Sequence, residues 1–299
     1  MHGLNERRTK PRTPSFQMRL NPNQKLARSA WLDHVVLILG STFLMLPIFL
    51  MIVSSTHTSF VISQQGLQFW PGTQAGANYA QVARLEAGFT DQITALAMLK
   101  NSLVIAVSIA SLTTVLSMMA AYAIVFFKFS VAGFLFWLTM LTLLLPLESR
   151  FVTTFQVAAT LGLVNTYGGM VLPALAIALG TLFFRQLFLS FPNEYLEAAK
   201  LDGAGPVRFF WDFIVPLAWR RGGAIFVVSF MIGWNQYLWP LMLSTDESRY
   251  TVLRGIRLIG LESAPGMALG VLTILPPLIL VILFQRYLFK ALVDTKDSF

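Results

Sequence analysis

Long uncharged, apolar segments are the feature that most restricts the fold of this chain. A helix needs roughly 20 apolar residues to cross the hydrocarbon core of a bilayer, and helices and closed barrels are the structures that satisfy all their backbone hydrogen bonds there. Charged residues are only 12% of the chain and hydrophobic residues 56%, whereas soluble domains carry about 25% charged residues. The sequence therefore predicts an all-α membrane protein with six transmembrane helices. The predicted spans are Val35–Val53, Leu103–Phe127, Val131–Leu147, Tyr167–Phe184, Gly222–Leu243 and Met267–Phe284.

The distribution of Lys and Arg predicts the orientation of these spans. With a cytoplasmic N-terminus, the inner segments hold 16 of these residues and the outer segments hold 6. Cytoplasmic loops carry the excess of positive charge in membrane proteins, so both termini are expected in the cytoplasm. The first apolar run has 19 residues and is long for a signal peptide, so we expect it to be retained. The basic N-terminal tail is expected to contact anionic lipid rather than nucleic acid.

The spans divide the chain into a cytoplasmic tail at 1–30, a membrane domain at 31–294 and a short C-terminal tail at 295–299. The longest outer loop, 54–101, is rich in aromatic residues and is expected to form a small folded cap. Such residues serve either as anchors at the membrane interface or as contacts with an external partner. The longest cytoplasmic loop is 185–221.

A polar segment, EYLEAAKLDGAG at Glu194–Gly205, interrupts the apolar sequence inside that cytoplasmic loop. Pro192 is suited to the start of a helix, and Gly203 is suited to a turn because glycine adopts positive φ without strain. A second helical segment is predicted at Val207–Ile214, and Pro216 is expected to end or bend it. The pattern predicts a helix–turn–helix knob.

The surface of this predicted knob has the composition of a docking site. Ala198 and Ala199 are small enough to let another backbone approach, and Glu197 and Asp202 offer hydrogen-bond acceptors. The alternative interpretation is a solvated loop with helical propensity.

The sequence also restricts the energy source of a transporter. A phosphate-binding P-loop requires Gly-Lys followed by Ser or Thr, and none of the seven lysines is followed by either. The predicted spans contain no Asp, Glu or His, which argues against a proton-coupled secondary transporter, although a sodium-coupled one stays possible. The chain has no Cys and hence no disulfide or thiolate metal site.

The pattern of Glu197, Ala198, Ala199, Gly203 and Pro216 resembles the E-A-A-x-x-x-G…I-x-L-P signature loop of permease subunits in bacterial ABC importers. Two positions depart from it, since Phe213 replaces Ile and Val215 replaces Leu, and both changes keep an apolar face.

The resemblance implies that this loop, with Asp202, is a coupling helix that docks on a cytoplasmic ATPase. It implies that the chain is a permease without enzymatic activity or cofactor, with ATP and Mg bound by partner subunits. The implied partners are a homologous permease forming a heterodimer, two copies of an ATPase and an external solute-binding protein, all assembled at the bacterial inner membrane.

The resemblance extends to the carbohydrate-uptake group, which includes maltose and glycerol-3-phosphate permeases. Three stretches are most similar to the glycerol-3-phosphate branch: TLLLPLESR at 142–150, LFFRQLF at 182–188 and GWNQYLWPL at 233–241. They imply transport of sn-glycerol-3-phosphate or a related glycerophosphodiester. The alternative is a neutral di- or oligosaccharide of the maltose or trehalose type.

Four residues are candidates for the substrate pathway. Arg150 follows the third predicted span, where an incoming phosphate would pass, and Arg binds phosphate bidentately; alternatively it is an interfacial arginine that snorkels or pairs with Glu148. Asn235 and Gln236, with Trp234 beside them, are suited to hydrogen-bonding and stacking on a polyol. The two amides are equally suited to joining helices.

Overall fold

The computed structural model describes residues 22–84, 93–127, 129–144, 147–175 and 178–293, and every regular element in these ranges is helical. The chain divides into two compact units, 1–49 and 50–299, and the features discussed below lie in the second. Of the predicted tails, 1–30 and 295–299, residues 1–21 and 295–299 lie outside the described residues, whereas residues 22–30 belong to the first helix. The α-helices are α1 Pro22–Ser54, α2 Ser59–Gln65, α3 Ala75–Arg84, α4 Ala95–Phe126, α5 Ala132–Leu144, α6 Phe151–Thr160, α7 Tyr167–Val171, α8 Ala178–Leu189, α9 Asn193–Leu201, α10 Pro206–Phe209, α11 Val215–Trp234, α12 Leu238–Leu243, α13 Val252–Ile259 and α14 Ala264–Val293.

Four of the described helical segments are long and apolar enough to cross a bilayer: Trp31–Ser54, Ala95–Phe126, Pro206–Trp234 and Ala264–Arg286. A fifth crossing arises if Tyr167–Leu175 and Ala178–Leu189, which are bent by 48°, form one span. The predicted count of six is therefore not confirmed. The predicted third span contains α5, whose 13 residues reach only about 20 Å at 1.5 Å per residue.

The predicted fifth span, Gly222–Leu243, has the wrong boundaries. The helix starts earlier, at Pro206, and continues through α11 to Trp234. It breaks at 235–237 before the short helix α12. Hydropathy missed the beginning of this helix because its first turns carry polar and charged residues.

α4 is the central helix of the second unit, and its buried residues contribute to all three of the larger hydrophobic clusters. Small residues allow its neighbours to come close. A Cβ added at Gly233 would lie 3.0 Å from the Ala106 Cα, and one added at Gly180 would lie 2.8 Å from the Ser117 Cβ. Close backbone approach through small residues is typical of helix packing in membranes.

One end of α4 carries a folded cap built from α2 and α3, as expected for the loop after the first span. Asn78 donates to the carbonyl oxygens of Ser55 and His57 at 2.8 and 2.7 Å. The Ser59 hydroxyl accepts from the Ala264 N–H at the start of α14, at 3.0 Å. These bonds attach the cap to the ends of the long helices. Residues 85–92 of the same loop lie outside the described ranges.

A set of hydrogen bonds made by side chains joins elements at the cap end. Asn101 near the start of α4 donates to the carbonyls of Ser248 and Tyr250 at 2.8 and 3.0 Å and accepts from the Tyr167 hydroxyl at 2.6 Å. Asn165, at φ 59°, accepts from the backbone N–H groups of 245 and 246 at 2.7 and 2.9 Å. The connections before α7 and after α12 are thereby held together.

Candidate functional sites

The polar segment forms the predicted helix–turn–helix knob, which we define as residues 193–209. α9 follows Pro192 and ends at Leu201, and Gly203 has φ +68°. Pro206 then occupies the first turn of α10, where its missing N–H leaves no helical hydrogen bond unmade. Local sequence signals thus determine both helices and the turn between them.

Pro216 does not end the second helix, so of the two outcomes expected for it, an end or a bend, the first is wrong. The helix widens into a π-helical turn at Phe210–Ile214 and continues directly into α11. A proline inside a regular α-helix loses one hydrogen bond and clashes with the preceding turn. The helix instead changes its hydrogen-bonding pattern just before the proline, and such π turns are frequent at functional sites.

The exposed face of the knob presents most of the residues that the signature pattern identified. Glu197, Ala198 and Asp202 are exposed, whereas Ala199 is only 1% exposed and packs towards the bundle. Two apolar side chains next to the turn, which were not predicted from the sequence, are also exposed: Leu201 at 89% and Val207 at 73%. Exposed apolar side chains grouped beside polar ones are typical of a protein contact surface.

Beneath the knob lies an aromatic cluster that joins it to α4. The Tyr122 ring lies 6.2 and 5.1 Å from those of Phe209 and Phe210, and Phe126 packs edge-on to Phe209 at 5.5 Å. The Tyr122 hydroxyl donates to the Pro206 carbonyl at 2.9 Å. The knob is therefore packed and hydrogen-bonded to the central helix.

A second candidate site is a cavity of about 380 Å³ at which three helix interruptions meet. Its walls come from the junction of the 3₁₀ turn Leu147–Arg150 with α6, from the 3₁₀ turn Leu172–Leu175 after α7, and from the break between α11 and α12. Interrupted helices at membrane depth are tolerated where they line a cavity, and substrate sites of transporters use such breaks.

Three of the four predicted substrate residues line this cavity together: Arg150, Asn235 and Gln236. Gln236 Oε1 is buried and has no hydrogen-bond partner within the described part of the chain. Asn235 Nδ2 donates to the Met231 carbonyl at 2.8 Å. Because a buried polar atom without a partner is costly, the Gln236 carbonyl is a candidate to accept a hydrogen bond from a ligand.

Trp234, the fourth predicted residue, lies elsewhere. It is 3% exposed and stacks on Phe230 in the hydrophobic core, at 5.7 Å between ring centroids. Its place in the last turn of α11 directs it towards α4. The aromatic lining of the cavity comes instead from Phe151, Tyr237 and Trp239. The sequence around Asn235 and Gln236 does not show which of its aromatic residues face the cavity.

Three arginines between α12 and α14 each stack on a tyrosine ring. The distances from guanidinium to ring centroid are 4.6 Å for Arg249 on Tyr167, 3.5 Å for Arg254 on Tyr250 and 5.8 Å for Arg257 on Tyr237. Tyr237 lines the cavity, so Arg257 places a second cation one ring away from it. The Arg254 guanidinium also donates to the Ser244 carbonyl, which stabilises the end of α12.

The comparisons with known proteins agree with the fold and with the sequence pattern. The sn-glycerol-3-phosphate transport system permease protein UgpE of Yersinia pestis is 39% identical over 269 residues, which cover 88% of this chain and 95% of the relative. UgpE of Brucella melitensis is 38% identical, covering 89% and 96%, and UgpE of Rhizobium meliloti is 36% identical, covering 91% and 99%.

A solved structure confirms the architecture. It is a bacterial ABC transporter involved in the import of the acidic polysaccharide alginate, with a TM-score of 0.74 at 18% identity, and the match covers 92% of this chain and 99% of that chain. The family model described as the inner membrane component of binding-protein-dependent transport systems matches residues 25–294. The chain is therefore a multi-pass membrane protein that belongs to the family of inner membrane permease components of binding-protein-dependent ABC transport systems.

Proposed function

We propose that this chain is one of two homologous permease subunits in an ATP-driven importer of sn-glycerol-3-phosphate or a related glycerophosphodiester. The similarity to UgpE proteins over nearly the whole chain supports this substrate class. The partners in the proposal are a related permease, two copies of an ATPase that bind ATP and Mg, and an external solute-binding protein.

In the proposed orientation both termini and the knob are cytoplasmic, and the cap faces outward. The excess of Lys and Arg on the side of the knob supports this orientation. ATP binding closes the ATPase pair and moves the knob residues Glu197–Gly203, with Pro216 in the helix that follows. The bundle changes from inward-open to outward-open, and hydrolysis resets it.

The observation that carries the substrate proposal is the helix-break cavity. Arg150 provides a cation for a phosphate group, and Asn235 and Gln236 provide amides for hydroxyl groups. Arginine binds phosphate through two parallel, charge-assisted hydrogen bonds. The described lining residues include no carboxylate, so an incoming anion meets no like charge from them.

A neutral sugar is the second candidate substrate. The aromatic rings of Phe151, Tyr237 and Trp239 in the same cavity favour it, because sugar carbons pack well on aromatic faces. The position of Trp239 is fixed by a hydrogen bond from Nε1 to the Gly169 carbonyl at 3.1 Å. The two candidate substrates differ in one respect: a phosphorylated compound needs the positive charge of Arg150, and a neutral sugar does not.

The test is ligand-stimulated ATP hydrolysis by the reconstituted complex with its binding protein. Glycerol-3-phosphate and glycerophosphodiesters are compared with maltose and trehalose, in the wild type and in Arg150→Gln. We expect stimulation by the phosphorylated ligands alone, and a rise of about tenfold or more in the ligand concentration needed by Arg150→Gln, as loss of a charge-assisted contact predicts. The matched control is Arg84→Gln, an exposed arginine of the cap.

Stimulation by a neutral sugar alone, in Arg150→Gln and Arg84→Gln alike, would support an importer but would reject a phosphorylated compound as its substrate. An unchanged response of Arg150→Gln to glycerol-3-phosphate would reject Arg150 as a substrate contact.

A further inference from the structure

The helix that leads from the knob into the membrane has one mechanically weak section. It is continuous from Pro206 to Trp234, but the π-helical turn Phe210–Ile214 interrupts its regular hydrogen bonding. Pro216, two residues further on, has no N–H to donate. Motion of the knob relative to α11 is therefore expected to concentrate between 210 and 216.

Tyr122 contacts the carbonyl of Pro206, which lies four residues before the π-helical turn begins. The Phe210 N–H is directed at the carbonyls of both Pro206 and Val207, and the Val215 N–H bonds to the Phe210 carbonyl across the widened turn. The Tyr122 hydroxyl donates to the Pro206 carbonyl at 2.9 Å. This bond joins α4 to the first residue of the helix, just before its hydrogen bonding changes.

The surroundings of Tyr122 make this bond rigid. The side chain is 8% exposed. Its ring contacts Phe126 and Phe127 at the end of α4, as well as Phe209 and Phe210 across the junction, with centroids 5.1 to 6.2 Å apart. A buried tyrosine hydroxyl needs a partner, and here the partner is a backbone carbonyl of the knob. The exposed ion pair of Arg208 and Asp212, at 3.1 Å across the same turn, adds little because water screens it.

We propose that Tyr122 is the positioning residue that holds the π-helical turn in register, so that a displacement of the knob moves α4 and α11 together. Without the hydroxyl, the turn shifts along the helix and absorbs part of the displacement. The proposal rests on the coupling role of the knob given above. Displacement of the knob then reaches the membrane helices in two ways: along the chain into α11, and through the contacts of Tyr122 into α4.

The test uses Tyr122→Phe in the assembled complex, because this change keeps the ring and removes only the hydroxyl. Tyr79→Phe is the matched control, since Tyr79 loses a hydroxyl that lies 3.1 Å from Ser55 Oγ in the cap, far from the knob in sequence. Two quantities are measured: substrate taken up per ATP hydrolysed, and amide hydrogen exchange of residues 210–214. Membrane abundance is matched by immunoblot.

We expect Tyr122→Phe to lower uptake per ATP about five-fold and to speed amide exchange at 210–214 by a similar factor, which is what a hydrogen bond of ordinary strength supplies. Tyr79→Phe should change neither. Unchanged exchange in Tyr122→Phe would overturn the positioning role, and faster exchange with unchanged uptake per ATP would overturn its part in coupling.

The knob variant Gly203→Val separates this inference from the proposed function. If Gly203→Val loses uptake and Tyr122→Phe is normal in both measurements, the role of Tyr122 is rejected and the coupling knob stands. If Gly203→Val transports normally, the coupling knob itself is rejected, and the exchange rates at 210–214 still decide whether Tyr122 holds the turn.

Discussion

Replacing Gly203 with valine perturbs the knob through backbone strain alone. Gly203 has φ +68°, and a Cβ added there meets no atom within 4 Å, so no clash contributes. An L-residue in the left-handed region costs about 1–2 kcal/mol, and a β-branched residue tolerates it least. At about 1.4 kcal/mol per factor of ten, the equilibrium constant for forming the turn falls roughly 5- to 30-fold.

Two matched variants isolate the strain from the added bulk. Gly203→Asn adds a side chain that tolerates positive φ. Gly205→Ala adds a methyl two residues away at φ −69°, also with no atom within 4 Å of the new Cβ. We expect uptake to fall in Gly203→Val, by at most the roughly 5- to 30-fold that the strain predicts for the equilibrium constant, and to change little in the other two.

The assay is uptake by the reconstituted complex, normalised to the amount of permease in the membrane, together with ligand-stimulated ATP hydrolysis. The strain is local to an exposed turn, so membrane insertion should be unaffected while stimulation of hydrolysis is lost. Normal uptake by Gly203→Val, or an equal loss in Gly205→Ala, would refute the reasoning.

Three further predictions test the packing and the cavity. Gly180→Ala should lower the thermal stability of the permease by about 1–3 kcal/mol, because its Cβ would lie 2.8 Å from the Ser117 Cβ, and Ser117→Gly should restore it in the double variant. Asn165→Ala should lower stability by about 1–2 kcal/mol, because it places an alanine at φ 59° and removes two exposed hydrogen bonds that water only partly replaces; thermal unfolding measures it, and an unchanged midpoint would contradict this stabilising role of Asn165. Gln236→Leu should raise the substrate concentration needed for half-maximal uptake about five-fold or more if Oε1 binds ligand. An unchanged concentration would show that the carbonyl does not contact substrate. Arg150→Gln gives the reference for the loss of a charged contact.

The knob was predictable from sequence because its determinants are local. Pro192 starts α9, Gly203 takes the positive φ and Pro206 starts α10. The continuation of the helix past Pro216 was not predictable, because the π turn before it lies beside Phe209 and Phe210, which pack in one cluster with residues of α4. No property of the local sequence reports that packing.

The cavity was predictable in part. The polar residues Arg150, Asn235 and Gln236 are conspicuous in an apolar sequence, and they meet in space. The direction of Trp234 was not predictable, because it depends on where α11 ends and which of its faces packs on α4. The predicted count of six spans is not confirmed, since four described helices, or five with the bent pair, are long and apolar enough to cross a bilayer.

The hydrogen bonds of Asn101 have a consequence for biosynthesis. Its two carbonyl partners, in Ser248 and Tyr250, are 147 and 149 residues later in the chain. At a synthesis rate of about 5–20 residues per second, α4 waits roughly 7–30 s for them. During that interval a carboxamide at the end of a membrane helix has to be hydrated or held by the insertion machinery. A ribosome that stalls before residue 248 therefore leaves the Asn101 carboxamide without either of its carbonyl partners.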